Sequence, residues 1–470
     1  MKLKKKKELK ALNPMLLLVG ILIVITIVSY FLPVGAYDRI YDAAADQEIV
    51  VADSYHPVDK NPISLMTLLM SVTLGMQRSG PIFFIILICG GMFGILNATG
   101  AINAGMSRVV RAMKGKELLM IPVCMIVFGL GSAICASFEE FLVFFPLVLA
   151  CSLSMGFDSL TAVGIIFCAA AAGYGGALTN TFTTGIAQGI AGLPLFSGMG
   201  LRACVFLALL TVSILYVTWY ARRVKKHPEL SSTYELDRAT MKTVSLDVDN
   251  IAPLTLRQKL VLIIFIGGNA FTVYGILVWG FYVDELSAIF LAIGLAGGLV
   301  GGIHPSEICD HFVKGFGDML FPAIMIGLAN SVVILLQEAA IMDAIIHFLV
   351  SMLNGLSPTL AACGMFIVQD LFNILVPSGS GKAAITMPIM IPLADMLNVT
   401  RQTCVLAYQM GDAYTNVMAP TSGEVVAALA MCGGVPFRKW MKFLFPLFIM
   451  WWIVSFIFLA IAVEINYGPF

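Results

Sequence analysis

The sequence predicts an all-α polytopic membrane protein with two inverted repeats, about nine transmembrane helices, two opposed re-entrant hairpins and two broken helices. Composition is the first reason: 59% of the 470 residues are hydrophobic and 12% are charged, whereas soluble domains carry about 25% charged residues. Polar breaks inside long apolar runs are the second reason, and their recurrence in both halves is the third. We therefore expect a lipid bilayer as the surroundings. The net charge of zero gives no reason to expect a nucleic-acid partner.

Apolar runs supply the transmembrane helices, each of which needs about 20 residues. Uninterrupted runs lie at 15–34, 80–99, 200–221, 257–281, 284–302, 318–337 and 437–463. Two further runs, about 158–198 and about 400–433, have Gly, Thr and Asn in their middles, and we interpret each as one broken span. The runs at about 117–155 and 357–396 contain a polar kink, so each could be two spans or one re-entrant hairpin.

Positive charge decides between these alternatives, because cytoplasmic loops are rich in Lys and Arg. Basic clusters lie at 2–7, 107–116 and 221–227, and the loop 36–60 is acidic. All three clusters fall on the cytoplasmic side if 117–155 is a hairpin, 158–198 is one broken span and 62–78 is an interfacial helix. The N-terminus is then cytoplasmic, and 224–256 is a cytoplasmic linker.

The two halves, 1–223 and 257–470, resemble each other. Pro81 and Pro322 begin similar apolar runs, Ser137 falls opposite Ser378 at the same offset, and "ALTNTFTTG" (177–185) resembles "AYTNVMAPTSG" (413–423). The span count makes the first hairpin enter from the cytoplasm and the second from outside. Inverted repeats of this kind are typical of secondary transporters.

Four irregular segments, 132–140, 173–185, 373–382 and 411–424, are expected to meet at one site near the bilayer midplane. Irregular backbone at membrane depth is tolerated only where protein buries it or where it lines a cavity. Freed carbonyls can bind a cation, and helix N-termini can bind an anion.

The candidate substrate-binding residues come from these four segments. They are Ser137, Glu139, Glu140, Thr179, Asn180, Thr183, Ser378, Gly379, Ser380, Lys382, Asp412, Thr415, Asn416, Thr421, Ser422 and Glu424. Intramembrane carboxylates are costly and usually functional. Acids outnumber bases here, which favours a cationic substrate, a coupling cation or a proton relay. The structural alternative is that Glu139 and Lys382 pair with other charges and hold the hairpins.

Asn180, Asn416 and Ser378 form a candidate sodium site, since amide and hydroxyl oxygens suit a small cation. Beyond Na⁺ or H⁺ as a coupling ion, we expect no cofactor. "SGSGKA" is not a phosphate-binding loop, because Ala383 follows Lys382 where Ser or Thr is needed, and the glycine spacing is wrong. An enzyme would need a nucleophile–base pair or a metal cluster within the spans, and the sequence suggests neither.

Two motifs carry a resemblance to a known family. "NILVPSGSGKAAITMPIMIPLAD" and "QMGDAYTNVMAPTSG" resemble the second-half motifs of the YfcC family, which includes bacterial arginine/ornithine antiporters and is similar to the anaerobic dicarboxylate carriers. The resemblance implies a protein of the bacterial cytoplasmic membrane, a homodimer, and an elevator-type mechanism.

The hairpin tips depart from the wider superfamily of ion-coupled transporters to which this family is similar. Where that superfamily has Ser-Asn-Thr, this chain has "SFEE" (137–140) and "SGSGK" (378–382). Two acids would repel a dianion but would suit the guanidinium or ammonium group of arginine or ornithine. Lys382 or a helix N-terminus would then hold the α-carboxylate. The alternative is a sodium- or proton-coupled carrier of C4-dicarboxylates or other carboxylates.

Overall fold

A computed structural model gives the architecture. It describes residues 14–42, 47–51, 54–112, 115–135, 138–241, 254–279, 281, 283–353 and 355–468. This part of the chain contains 20 α-helices and four short strands. The predicted all-α membrane fold is confirmed.

The first half supplies nine helices and all four strands. The helices are α1 (Pro14–Val28), α2 (Leu65–Arg78), α3 (Gly80–Ala98), α4 (Ala101–Ala112), α5 (Met120–Cys135), α6 (Phe145–Ser154), α7 (Ser159–Gly176), α8 (Ile186–Ile190) and α9 (Met199–Lys226). The strands, between α1 and α2, are β1 (Gly35–Ala36), β2 (Arg39–Asp42), β3 (Gln47–Val50) and β4 (His56–Pro57). β1 pairs with β4 and β2 pairs with β3, both antiparallel.

The short helix α10 (Tyr234–Met241) lies in the predicted linker, and the second half supplies the remaining helices. They are α11 (Leu256–Trp279), α12 (Val283–Gly301), α13 (Pro305–Asp318), α14 (Leu320–Glu338), α15 (Ile341–Ser351), α16 (Pro358–Leu375), α17 (Gly379–Met396), α18 (Arg401–Ala413), α19 (Gly423–Met431) and α20 (Phe437–Glu464).

Six helical stretches of the described chain are long and apolar enough to cross a bilayer, and two bent pairs raise the number to eight. The bent pairs are α2 with α3, at 59°, and α14 with α15, at 79°. This set differs in membership from the nine spans counted in the sequence. It includes 117–134 and 358–375, which the sequence assigned to re-entrant hairpins, and it does not include the broken run 400–433, which the structure divides into α18 and α19, of 13 and nine residues. The run 62–78, predicted as an interfacial helix, is α2 and continues with a bend into α3.

Helix lengths recur in the same order in both halves. α2 and α13 each have 14 residues, α3 and α14 each have 19, and α9 and α20 each have 28. Gly75 and Gly315 are the eleventh residues of α2 and α13. A Cβ on Gly75 would collide with the Gly327 carbonyl of α14, and one on Gly315 would collide with the Gly90 carbonyl of α3. Each half thus lays a short glycine-bearing helix on the long helix of the other.

The central helix is α7, and all 18 of its residues are buried. Its sequence is rich in Ala and Gly, which lets backbones approach closely in a membrane protein. Gly173 lies directly against the carbonyl oxygen of Gly129 in α5, where a side chain would collide. This tight contact places the end of α7 beside the first hairpin.

Candidate functional site

Both predicted broken runs are interrupted where the sequence placed the polar residues. α7 ends at Gly176, and a π-helical turn, Thr181–Gly185, precedes α8. α18 ends at Ala413, and a 3₁₀ turn, Thr415–Val417, precedes α19. Because a helix end leaves carbonyls without intrahelical partners, each break needs donors from elsewhere.

Arg202 and Trp440 supply such donors, one in each half. Arg202 donates from Nε to the Ala177 carbonyl at 3.1 Å and from Nη2 to the Leu178 carbonyl at 3.3 Å. Trp440 donates from Nε1 to the Val417 carbonyl at 2.7 Å. The two donors are the fourth residues of α9 and α20. Both are buried, with 1% and 0% of their surface exposed.

Sequence reasoning missed both donors. The available signal for Arg202 was an arginine at the start of the otherwise apolar run 200–221. An intramembrane charge is by default a functional residue whose partner should be sought. Trp440 gave no comparable signal, since a tryptophan is ordinary in such a run.

The second hairpin consists of α16 and α17, and its tip holds a buried ion pair. Lys382 Nζ lies 2.7 Å from Asp412 Oδ1, and neither side chain is exposed. Nζ also donates to the Gln369 carbonyl at 3.4 Å and the Gly411 carbonyl at 3.5 Å, and lies 5.2 Å from the ring centroid of Tyr408. Lys382 thus joins the first turn of α17 to the last turn of α18.

An amide and hydroxyl network surrounds this pair. Asn373 donates from Nδ2 to the Asp412 carbonyl at 3.1 Å, to Thr415 Oγ1 at 2.9 Å and to Asn416 Oδ1 at 2.8 Å. Asp370 accepts from Trp452 Nε1 at 2.9 Å, and its carbonyl accepts from Thr415 at 3.1 Å. Asp370, Asn373 and Trp452 are further residues that the sequence-based site did not include.

The second hairpin meets the first half at Gly379. A Cβ there would collide with Thr183 and would lie 2.9 Å from the Tyr174 hydroxyl and 3.0 Å from Asp412 Oδ2. Only glycine fits this contact. The break of α7, the tip of α17 and the end of α18 therefore converge.

The first hairpin joins the same region through α7. Thr179 donates from its backbone N to the Ala133 carbonyl at 3.2 Å and from Oγ1 to the Ile134 carbonyl at 3.0 Å. The Phe138 ring lies 6.2 Å from the Tyr174 ring. Ser137 and the side chains of Glu139 and Glu140 lie outside the described part of the chain, although the backbone Glu139–Phe144 forms a 3₁₀ turn.

The candidate sodium ligands already accept protein hydrogen bonds. Asn180 Oδ1 accepts from the Thr183 N–H at 3.0 Å, and Asn416 Oδ1 accepts from Asn373. Elsewhere in the second break, Ser422 donates to Glu424 Oε2 at 2.8 Å, and Thr421 donates to the Ile374 carbonyl.

Buried polar atoms without a hydrogen-bond partner among the described residues cluster here. They are Asn180 Nδ2, Thr183 Oγ1, Asp370 Oδ1, Asn373 Oδ1 and Asp412 Oδ2. Such atoms are uncommon in proteins because each costs free energy. Beside them, several candidate residues are only half-buried, namely Thr179, Ser378, Gly379, Ser380, Asn416 and Glu424. The arrangement can bind a small polar or charged molecule, with donors and acceptors already desolvated.

Comparisons of the sequence with known proteins find one matching family and two similar proteins. Residues 13–464 match the family described as DcuC, C4-dicarboxylate anaerobic carrier. The chain is 34% identical to "Putative basic amino acid antiporter YfcC" of Escherichia coli (strain K12), over 77% of this chain and 73% of that one. It is 30% identical to an uncharacterized protein of Haemophilus influenzae (strain ATCC 51907 / DSM 11121 / KW20 / Rd), over 89% of this chain and 82% of that one.

Two solved structures also align, at 16% identity and a TM-score of 0.42 each. One is the YdaH transporter of Alcanivorax borkumensis, which covers 97% of this chain and 100% of its own. The other is MtrF of Neisseria gonorrhoeae, described as representing a class of antimetabolite efflux pumps, which covers 97% of this chain and 96% of its own. On the sequence matches, the chain is a multi-pass membrane protein and belongs to the DcuC family of C4-dicarboxylate anaerobic carriers.

Proposed function

We propose that this protein is a secondary active transporter of the bacterial cytoplasmic membrane that exchanges small basic amino acids of the arginine and ornithine type. The observation that carries the proposal is the cluster of unpartnered buried polar atoms where the breaks of α7 and α18 meet the tip of α17. Discontinuous helices that meet in the middle of a membrane protein are the usual substrate and ion sites of secondary transporters.

Charge supports a cationic substrate. The described site holds three carboxylates, Asp370, Asp412 and Glu424, against one amine, Lys382. Since Lys382 is already paired with Asp412, Asp370 and Glu424 are the carboxylates left to attract a cation. Glu424 is half-buried and is the one we assign to a substrate guanidinium or ammonium group.

The surface between the hairpin-bearing helices and the neighbouring long helices supports an elevator motion. A small cavity of about 10 Å³ lies there, lined by apolar residues and one glycine: Ile86, Cys89, Gly90, Phe93, Leu142, Pro146, Met319 and Met431. At the same boundary, Gly423 of α19 packs on Ile326 of α14. An interface formed by apolar contacts can slide with little loss of polar interactions, and a moving transport domain requires such an interface.

A C4-dicarboxylate carrier is the second candidate, and the family match favours it. The half-buried tip residues Ser378 and Ser380 begin α17, and a helix N-terminus attracts anions. This alternative would place the substrate carboxylate there, with a sodium ion or proton as the coupling ion. An inward N-terminus and a homodimer are parts of the proposal in either case.

Reconstitution in liposomes tests the proposal. Vesicles loaded with unlabelled arginine, ornithine, succinate or buffer would be given labelled arginine, ornithine or succinate, with and without sodium and proton gradients. We expect labelled arginine to enter only vesicles that contain arginine or ornithine. Glu424→Gln should reduce this exchange at least tenfold, whereas the exposed Glu464→Gln is the control. Uptake of succinate alone, driven by a gradient, would establish the second candidate instead.

A further inference from the structure

The surroundings of the Lys382 ammonium group have the composition of a cation site. Its oxygen neighbours are one carboxylate, Asp412 at 2.7 Å, and two backbone carbonyls, Gln369 at 3.4 Å and Gly411 at 3.5 Å. Gly411 and Asp412 lie in the last turn of α18, whereas Gln369 lies six residues before the end of α16. The C-terminus of α18 thus directs its negative end at the ammonium group, where a cation is stabilised. Transporters bind coupling cations at such half-helix ends.

An aromatic ring beside the ammonium group also favours a cation at this position. Tyr408 places its ring face 5.2 Å from Nζ, and a ring face attracts a cation. Its hydroxyl donates to the Gly379 carbonyl at 2.6 Å, so the ring is fixed to the hairpin tip. The ammonium group is therefore held from three sides while its four-carbon stem reaches it from α17.

The first half has no charged residue at the positions that the sequence repeat pairs with Lys382, Gln369 and Asp412. At the offset that pairs Ser137 with Ser378, Lys382 falls opposite Phe141 and Gln369 falls opposite Phe128. At the offset that pairs Ala177 with Ala413, Asp412 falls opposite Gly176. Phe128 and Phe141 make an edge contact at 5.0 Å between centroids. The two arms of the first hairpin thus pack on each other through phenylalanines at the positions that correspond to Gln369 and Lys382.

From this contrast we infer that Lys382 is a tethered cation, which fills in the second half a site shaped for a free monovalent cation. The inference rests on the proposed transporter function and deepens it. A covalently attached cation cannot leave with the substrate, so this half contributes no sodium coupling. Exchange of one amino acid for another, which needs no ion gradient, is the mode that such a site suits.

Sodium binding to variants of the full-length protein tests the inference without a substrate. Thermal unfolding of purified protein would be compared in sodium chloride and choline chloride at equal ionic strength. The wild type should melt at the same temperature in both salts. Lys382→Ala empties the site while Asp412 remains, and sodium should raise its melting temperature saturably by about 2 °C or more.

Two further variants define the controls. Lys382→Met/Asp412→Asn removes both charges, leaves none unpaired, and should show no sodium response. Lys382→Ser supplies a second single variant, and recovery of either single variant only in sodium counts as the expected response. A folded Lys382→Ala without a sodium response overturns the inference. So does failure of both single variants in both salts while the double variant folds.

The outcome is independent of substrate identity. If labelled arginine is not exchanged but Lys382→Ala binds sodium, the tethered-cation site stands and the proposed substrate falls. If arginine is exchanged and Lys382→Ala ignores sodium, the proposed function stands and the tethered cation falls.

Discussion

At the scale of single residues, the site depends on side chains that donate hydrogen bonds to the free carbonyls of the broken helices. Arg202 donates to four carbonyls, those of Ala177, Leu178, Phe196 and Ser197, at 2.6–3.3 Å. These carbonyls belong to the break after α7 and the turn before α9. One side chain therefore fixes the geometry of two irregular segments, neither of which could satisfy itself in a membrane.

Removal of this side chain should destabilise the protein. Arg202→Met keeps an apolar stem but leaves the carbonyls without their donor, and each unsatisfied buried group costs about 1–3 kcal/mol. We expect a loss of at least about 3 kcal/mol in the free energy of unfolding. Thermal and urea unfolding in detergent would measure it. Arg222→Met, an exposed arginine on the same helix, is the matched control, and equal stability of the two variants would contradict the assignment.

The residue scale also shows the limit of reading charge from a sequence. Glu139, Glu140, Asp370, Lys382, Asp412 and Glu424 are all visible as intramembrane charges. Their pairing is not, because Lys382 and Asp412 are 30 positions apart and meet only when α17 lies beside α18. The sequence left substrate contact and structural pairing open for Lys382, and the geometry supplies the partner.

At the scale of elements, close helix packing depends on glycines at equivalent positions. Gly315→Ala places a Cβ against the Gly90 carbonyl of α3, where backbone has to move. Over-packing of this kind costs about 1–3 kcal/mol. The free energy of unfolding should fall by that amount. Gly317→Ala, in the same helix, meets no atom within 4 Å, and we expect it to be neutral or to stabilise by up to about 1 kcal/mol.

The elbows that follow α3 and α14 are a second element-scale feature. Gly100 immediately precedes α4 and has φ +67°, and Ala340 immediately precedes α15 and has φ +51°. Glycine adopts this left-handed conformation freely, whereas alanine pays about 1–2 kcal/mol. The chain uses the unstrained residue at one elbow and the strained residue at the other.

Relief of this strain should stabilise the second elbow. Ala340→Gly should raise the free energy of unfolding by up to about 1 kcal/mol, because the relief of backbone strain exceeds the extra entropic cost of ordering a glycine. Thermal unfolding would measure the change. Ala339→Gly, at φ −84°, removes a methyl group without relieving strain and should not stabilise. A stabilisation of equal size in both variants would refute the argument.

At the scale of the whole molecule, the predicted linker docks on the N-terminus of the central helix. Asp158 caps α7 by accepting from the Thr161 N–H at 2.8 Å, and Ser231 donates to Asp158 at 2.7 Å. Asp237 of α10 accepts from Thr233 at 2.8 Å and from the Ser159 N–H at 3.3 Å. Burial, with a smaller contribution from the nearby Asp158 charge, raises the pKa of Asp237 above its usual value. The described start of the linker is thus fixed to α7.

This raised pKa predicts a pH dependence. The folded state binds the Asp237 proton more tightly than the unfolded state, so its stabilising contribution is complete below the unfolded pKa and is lost as pH rises through the folded pKa. Asp237→Asn is neutral at every pH. It should melt higher than the wild type at pH 7.5, and the difference should shrink as pH falls towards about 4. Differential scanning fluorimetry would measure both series.

The control for this series is Asp310→Asn, which removes an exposed carboxylate and should leave the difference from wild type independent of pH. A difference for Asp237→Asn that stays constant or grows on acidification would contradict the assigned sign.

The sequence by itself determined the class of the protein and the positions of its helix breaks, because both follow from local properties. A strongly apolar composition requires a bilayer, and a cluster of Gly, Thr and Asn within an apolar run favours a helix break at that place. Tertiary structure alone decided which donors satisfy those breaks and which charges pair. Arg202 donates to the carbonyls of residues 177 and 178, and Lys382 pairs with Asp412. The physical reason is distance along the chain: backbone breaking is a local event, whereas its compensation comes from whichever buried side chain the packing of α9, α17 and α18 brings within hydrogen-bond reach.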